Sequence, residues 1–141
     1  MVRINLIHPK YLSDQHLIAE YNEILMLIGH VKKFPHLKNI PNNFCLGKGH
    51  IIFFKNKLGY LKDRHERVKI EMRRRGFVTS KDLDVEGYDK VYFVKYLPSE
   101  EDKKIIRKRI IEKINKKPDY YRYYGKKKWK KFFLEMIENA K

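Results

Sequence analysis

The chain has 141 residues and carries 33 Lys and Arg against 17 Asp and Glu, a formal net charge of +16. That length suits one domain with a single modest core, and the charge excess favours a polyanionic partner, nucleic acid first and a membrane surface second. Apolar runs such as 25–29 and 132–134 are too short to span a bilayer, no cationic leader suggests a secretory signal, and the single Cys45 allows no internal disulfide, which fits a reducing interior.

In chain order, the first helix is predicted to start at Ser13, whose hydroxyl can cap the free amides of the opening turn. Leu17, Tyr21, Ile24, Leu25 and Ile28 recur at helical spacing as its buried stripe, while His16, Ala19, Glu20 and Glu23 cluster on another side. Gly29 is the predicted stop. Residues 30–56 read as an irregular connector, with Pro35, Pro41, Asn42, Asn43 and Gly47-Lys48-Gly49 as turn chemistry; connectors of this length are often functional. A second helix is predicted over 57–75. Leu58, Leu61, His65, Val68 and Met72 form its inner seam, Arg73, Arg74 and Arg75 fill its last turn, and Gly76 offers a left-handed cap. Residues 77–98 are mixed, with 90–96 as a candidate extended segment. A third helix opens with Ser99 as cap and Glu100, Glu101 and Asp102 in its first turn, and runs to about Lys117 with Ile106, Ile110 and Ile114 inward. Trp129, Phe132, Phe133, Met136 and Ile137 outline a short amphipathic C-terminal helix. The expected fold is mostly α: a compact single domain of about three main helices with long irregular connectors, divided into residues 1–128 and a C-terminal extension over 129–141.

The start, Val2-Arg3-Ile4-Asn5-Leu6, joins a small second residue to an arginine, with a carboxylate on a helix soon after. Such a start can place a free α-amine at the centre of a site. An α-amine has an ordinary pKa of about 8, which desolvation and cations such as Arg3 would lower. It is free only once Met1 is removed, which the small Val2 allows. Glu23, taken alone, is a glutamate on an exposed helical face, and Gln15 and His16 are polar residues of a first turn, where anions bind readily. Arg109 and Lys113, at i and i+4, suit a solvated basic face or phosphate contact. The segment 120–126 interleaves tyrosines with Arg122 and Lys126, a composition fit for packing over the helices or for stacking on bases while cations hold phosphate. Tyr121 and Tyr124 are assigned to packing, Tyr120 and Tyr123 to DNA. Gly47-Lys48-Gly49-His50 lacks the spacing of a phosphate loop and reads as a turn. The six histidines and one cysteine have no zinc-ligand spacing, and His65 reads as a satisfied interior histidine; no metal and no cofactor are expected.

Three blocks in this chain resemble the phage-type pyrimidine-dimer DNA glycosylases, the endonuclease V type. They are Val2-Arg3-Ile4-Asn5-Leu6 with residues 13–23, then Phe44-Cys45-Leu46-Gly47-Lys48-Gly49-His50 running on to Arg75-Gly76-Phe77, and finally Lys117-Pro118-Asp119-Tyr120-Tyr121-Arg122-Tyr123-Tyr124-Gly125-Lys126. In the right order, they span nearly the whole chain. The resemblance implies a DNA repair enzyme, a glycosylase and abasic-site lyase acting on UV-induced cyclobutane pyrimidine dimers. Its nucleophile would be the α-amine of Val2, which attacks the sugar C1′ and displaces the base; the resulting imine acidifies the C2′ proton, and elimination breaks the strand on the 3′ side. Glu23 falls at the family's catalytic glutamate. Arg3, Gln15, His16, Arg109, Lys113, Tyr120, Arg122, Tyr123 and Lys126 would contact DNA, kinked and with a nucleotide extruded, in this family the one opposite the lesion.

The chain departs from the family at Asn22 and Met26, where the family carries arginines that grip phosphates, at Val2 in place of threonine and at Tyr120 in place of tryptophan. The 77–98 connector is shorter, and 129–141 extends past the usual end. The loss of two arginines keeps open a different damaged or modified base as substrate, and the charge alone fits a non-catalytic basic DNA- or RNA-binding protein. The expected partner is double-stranded DNA containing damaged bases, with no membrane, met by a monomer in the cytoplasm, at the nucleoid or in a phage- or virus-infected cell.

Overall fold

Ser13 starts the first helix as its sequence predicts: its Oγ accepts the His16 N–H at 3.1 Å, and helix α1 runs Asp14–Lys33. The helix does not stop at Gly29. Val31 prolongs the stripe of Leu17, Tyr21, Ile24, Leu27 and Ile28 and is wholly buried. Burying a valine is worth ~1.5–3 kcal/mol, which outweighs the ~1 kcal/mol that a helical glycine costs. The computed structural model describes residues 3–141, so the Val2 assignment lies outside the described residues.

The 30–56 connector is not irregular throughout. Helix α2, Gly49–Phe54, turns His50, Phe53 and Phe54 inward, where they meet Phe44 edge to face. Helix α3, Leu58–Arg74, buries all five residues of its predicted seam, and Gly76 takes the left-handed cap at φ 86°. The segment 90–96 is not a strand: Lys90–Tyr92 forms a 3-10 turn, and Phe93 makes a single antiparallel bridge to Lys57. Helix α4, Glu100–Lys116, begins with a full capping box, Ser99 and Asp102 each bonding the other's backbone N–H, and buries Ile106, Ile110 and Ile114.

The tyrosine-rich segment folds as a hairpin that the sequence reading missed. Strand β1, Arg122–Tyr123, pairs antiparallel with β2, Lys126–Lys127, and the two loop residues between them both have positive φ, Tyr124 at 54° and Gly125 at 75°. That is the turn that matches strand twist, and it favours glycine. Helix α5, Lys130–Glu138, packs on α4 and buries Phe133 and Ile137. Trp129 does not join that stripe. It caps the helix in an extended conformation and stands 85% exposed. The architecture is mostly α, with α1 against α3 and α4 against α5 around one core.

Candidate active site

The segment that leads to the N-terminus is nailed down by buried polar groups. The N–H of Ile4 donates to Nε2 of His50 at 3.0 Å, so the ring proton sits on Nδ1, which donates to the Cys45 carbonyl at 2.9 Å. His50 is wholly buried. Burial pushes its pKa down to about 4 against the pull of the Cys45 carbonyl, and the nearby Arg3 and Arg109 add to the lowering. One residue on, the backbone N–H and Nδ2 of Asn5 both donate to Glu20 Oε1, at 3.2 and 2.9 Å. Glu20 in turn takes Arg64 Nε on Oε2 at 2.5 Å and Nη2 on Oε1 at 3.0 Å, while Arg64 Nη1 donates to the Ile7 carbonyl at 2.6 Å. Sequence periodicity put Glu20 with His16 and Glu23; instead it is fully buried as the partner of Arg64. This network also holds Leu6 at φ 60°, a left-handed conformation that costs a non-glycine residue about 1 kcal/mol or more. The chain therefore leaves Ile4 toward Arg3 in one direction.

A second set of anchors brings the C-terminal segment to the same place. Gln15 Nε2 donates to the Tyr120 carbonyl at 3.0 Å, and its Oε1 accepts the Arg122 N–H at 2.9 Å. The Asp14 carboxylate accepts the N–H groups of Tyr124 and Gly125 at 3.1 and 2.7 Å. Arg75 joins the assembly from the end of α3, bonded to Asp14 and Glu71 and lying 4.5 Å from the Tyr123 ring centroid.

Between these anchors opens a cavity of about 270 Å³ lined by Arg3, Asn5, Gln15, His16, Ala19, Arg109, Lys113, Tyr120 and Tyr121. Six of the residues proposed from sequence thus converge from the N-terminal segment, α1, α4 and the hairpin approach. His16 stacks on Tyr121 at 4.9 Å and shares a 2.9 Å hydrogen bond between Nδ1 and Ser13 Oγ. Burial, with Arg109 and Lys113 adding to it, pushes its pKa down to about 4, so the ring is neutral at pH 7 and brings hydrogen-bonding capacity to the cavity rather than charge.

Glu23 is 8% exposed, not on an open face. Burial raises its carboxyl above the usual range, while Arg3 and Arg109 pull it back. Arg109 is itself lowered by burial and by Arg3, with Tyr121, Glu112 and Glu23 opposing. Glu23 does not line the cavity; it is the buried carboxylate among the cations that do. A concave site with Arg3, Arg109 and Lys113, a neutral histidine and an aromatic wall can hold phosphates, and Glu23 is a carboxylate coupled to two of its cations, Arg3 and Arg109.

The remaining predicted residues lie elsewhere. Arg122 and Lys126 are exposed on the hairpin. Tyr123 packs on Phe132 and donates its hydroxyl to the Lys10 carbonyl at 2.8 Å, whereas Tyr124 is 44% exposed, the reverse of the split expected for that pair. Gln15 spends its amide on the hairpin segment, which makes it a positioning residue. His65 bonds the Tyr21 carbonyl through Nε2 and stacks on Tyr21, but its Nδ1 is buried with no hydrogen-bond partner, so it is only half satisfied. Two other cavities, of about 290 and 510 Å³, carry none of the candidate residues. Sequence reasoning missed His50, Asn5, Asp14 and Arg64.

No described helix is long and apolar enough to cross a membrane. A family model described as pyrimidine dimer DNA glycosylase matches residues 1–85, a stretch that takes in Arg3, Gln15, His16, Glu23 and His50.

Proposed function

The chain belongs to the pyrimidine dimer DNA glycosylase family, and from that premise we propose that it is a DNA repair glycosylase with abasic-site lyase activity on cyclobutane pyrimidine dimers. The α-amine of Val2, freed by removal of Met1, attacks C1′ of the damaged nucleotide, and the glycosidic electron pair leaves with the base. Opening of the sugar at O4′ gives the imine. Loss of the C2′ proton then expels the 3′ phosphate, which breaks the strand. Glu23 supports the cationic sugar and shuttles the ring-opening proton. Arg3, Arg109 and Lys113 hold phosphate, with Arg122 and Lys126 outside the cavity; His16 hydrogen-bonds sugar or phosphate; Tyr120 faces the bases, while Tyr123 is spent on packing against Phe132. Kinking of the duplex with extrusion of the nucleotide opposite the lesion opens C1′ to the amine.

The observation that carries this reading is the convergence of Arg3, His16, Arg109, Lys113 and Tyr120 on one cavity at the point where the N-terminal segment arrives. Cleavage of a thymine-dimer duplex by the wild-type protein, lost in Glu23→Gln without loss of binding, tests it. Full cleavage by that variant would remove Glu23 from the mechanism.

A second reading keeps the chemistry and changes the lesion. Asn22 is exposed and Met26 is 69% exposed on α1, so this part of the helix offers a DNA strand no charge. Side-by-side cleavage of dimers and of other damaged bases separates the two.

A further inference from the structure

Trp129 is the most conspicuous group that the proposed chemistry leaves unused. Of its surface 85% faces solvent, against 54% for Tyr120. The helical pattern of 129, 132, 133 and 136 would have buried it, but its backbone is extended at φ −67° and ψ 152°, which takes the indole off the stripe that buries Phe133 and Ile137. Its indole face is thereby left open to solvent. It borders a concavity of about 280 Å³ formed with Asp119, Lys127 and Lys128. Asp119 is the chain neighbour of Tyr120, which lines the candidate active site. Lysines at 126, 127, 128, 130 and 131 flank Trp129 in the sequence, and Lys127 and Lys128 line the concavity with it.

We propose that Trp129 is a stacking platform for a nucleobase of the bound DNA, with Lys127 and Lys128 holding the flanking phosphates. A flat indole accepts any base face, and the lysines neutralise the strand on either side. Asp119 disfavours a phosphate inside the concavity itself and can accept a hydrogen bond from an amino group on a base edge. The occupant is therefore a base taken out of the stack, in keeping with a duplex opened for extrusion. The inference rests on the DNA-binding reading of the candidate active site but not on the identity of the lesion.

Trp129 is the only tryptophan in the chain, so intrinsic fluorescence reports on it alone. The full-length protein is titrated with a fluorescein-labelled duplex carrying a tetrahydrofuran abasic analogue, with undamaged duplex, and with phosphatidylglycerol vesicles. Emission at 129 should be quenched by the abasic duplex with the same midpoint as the anisotropy of the label. Trp129→Leu should weaken binding by about tenfold, and Trp129→Phe should restore most of the affinity. At so exposed a position neither variant should disturb folding. Binding with unchanged emission, quenching with no loss of affinity in Trp129→Leu, or a response to vesicles alone would each overturn the platform. Quenching and weakened binding in a protein that fails to cut dimers would uphold it while removing the lesion assignment.

Discussion

His50 Nε2 accepts the N–H of Ile4 at 3.0 Å, a bond between a helix in mid-chain and the segment that carries the N-terminus. It fixes the chain at Ile4, two residues after Val2 in the sequence. The bond therefore ties a buried core residue to the segment that leads to the proposed nucleophile.

Replacing His50 with Ala leaves the Ile4 N–H buried without an acceptor, at a cost of about 1–3 kcal/mol, and opens a void as well. If the bond only stabilised the fold, turnover would be normal wherever the variant is folded. The account predicts instead that kcat on an abasic duplex falls by about tenfold or more below the melting transition, with KM little changed, and that His50→Gln recovers part of it. Steady-state kinetics beside a melting curve separates the two effects.

The same residue makes the fold sensitive to acid. Its folded pKa of about 4 lies below the ordinary 6.5, so the unfolded chain takes up the proton first. Its contribution is fully present above pH 6.5 and is lost as pH falls toward 4, by about 3 kcal/mol for His50 alone. His16, shifted in the same direction to about 4, adds to the loss. Urea denaturation at pH 7 and pH 5 should show a marked drop in stability, and His50→Gln should flatten it.

Glu23 should set the acid limb of the activity profile. Its carboxyl is raised by burial, so the active carboxylate is lost on acidification at a pH above the usual glutamate range, and the limb vanishes in Glu23→Gln along with the activity. Arg3 and Arg109 hold that carboxyl down. Replacing Arg109 with Gln should move the limb of kcat to higher pH, and a limb that stays put or moves to lower pH would show that the two groups do not interact as described.

Arg109 and Lys113 should also appear in the salt dependence of binding. Each phosphate contact releases counterions, so removing either charge should weaken binding to damaged and undamaged duplex alike and reduce the slope of log K against log salt by about 1. A variant that loses affinity with its slope unchanged would place that residue off the phosphates.

Much of the helical frame could be read in the sequence. Ser13, Ser99 and Gly76 announce helix ends by local chemistry, and the seams of α3 and α4 follow helical periodicity. What could not be read depends on partners distant in sequence. Glu20 looks like a surface carboxylate until Arg64, on another helix, is brought against it. His50 lies in a glycine-rich stretch that reads as a turn, yet it is the acceptor for Ile4. The hairpin left only Gly125 as a signal, because tyrosine rarely sits at positive φ and the segment's composition suggested a binding surface instead. The cavity residues were named from a family resemblance; their convergence needed the hydrogen bonds of Gln15 and Asp14 to the hairpin.

The most direct test is borohydride trapping on a duplex with one cyclobutane thymine dimer, beside undamaged and abasic-site controls, using protein confirmed to begin at Val2. A covalent adduct that maps to the Val2 amine is expected on the dimer and abasic duplexes, and none on undamaged DNA. No adduct on either duplex would contradict it.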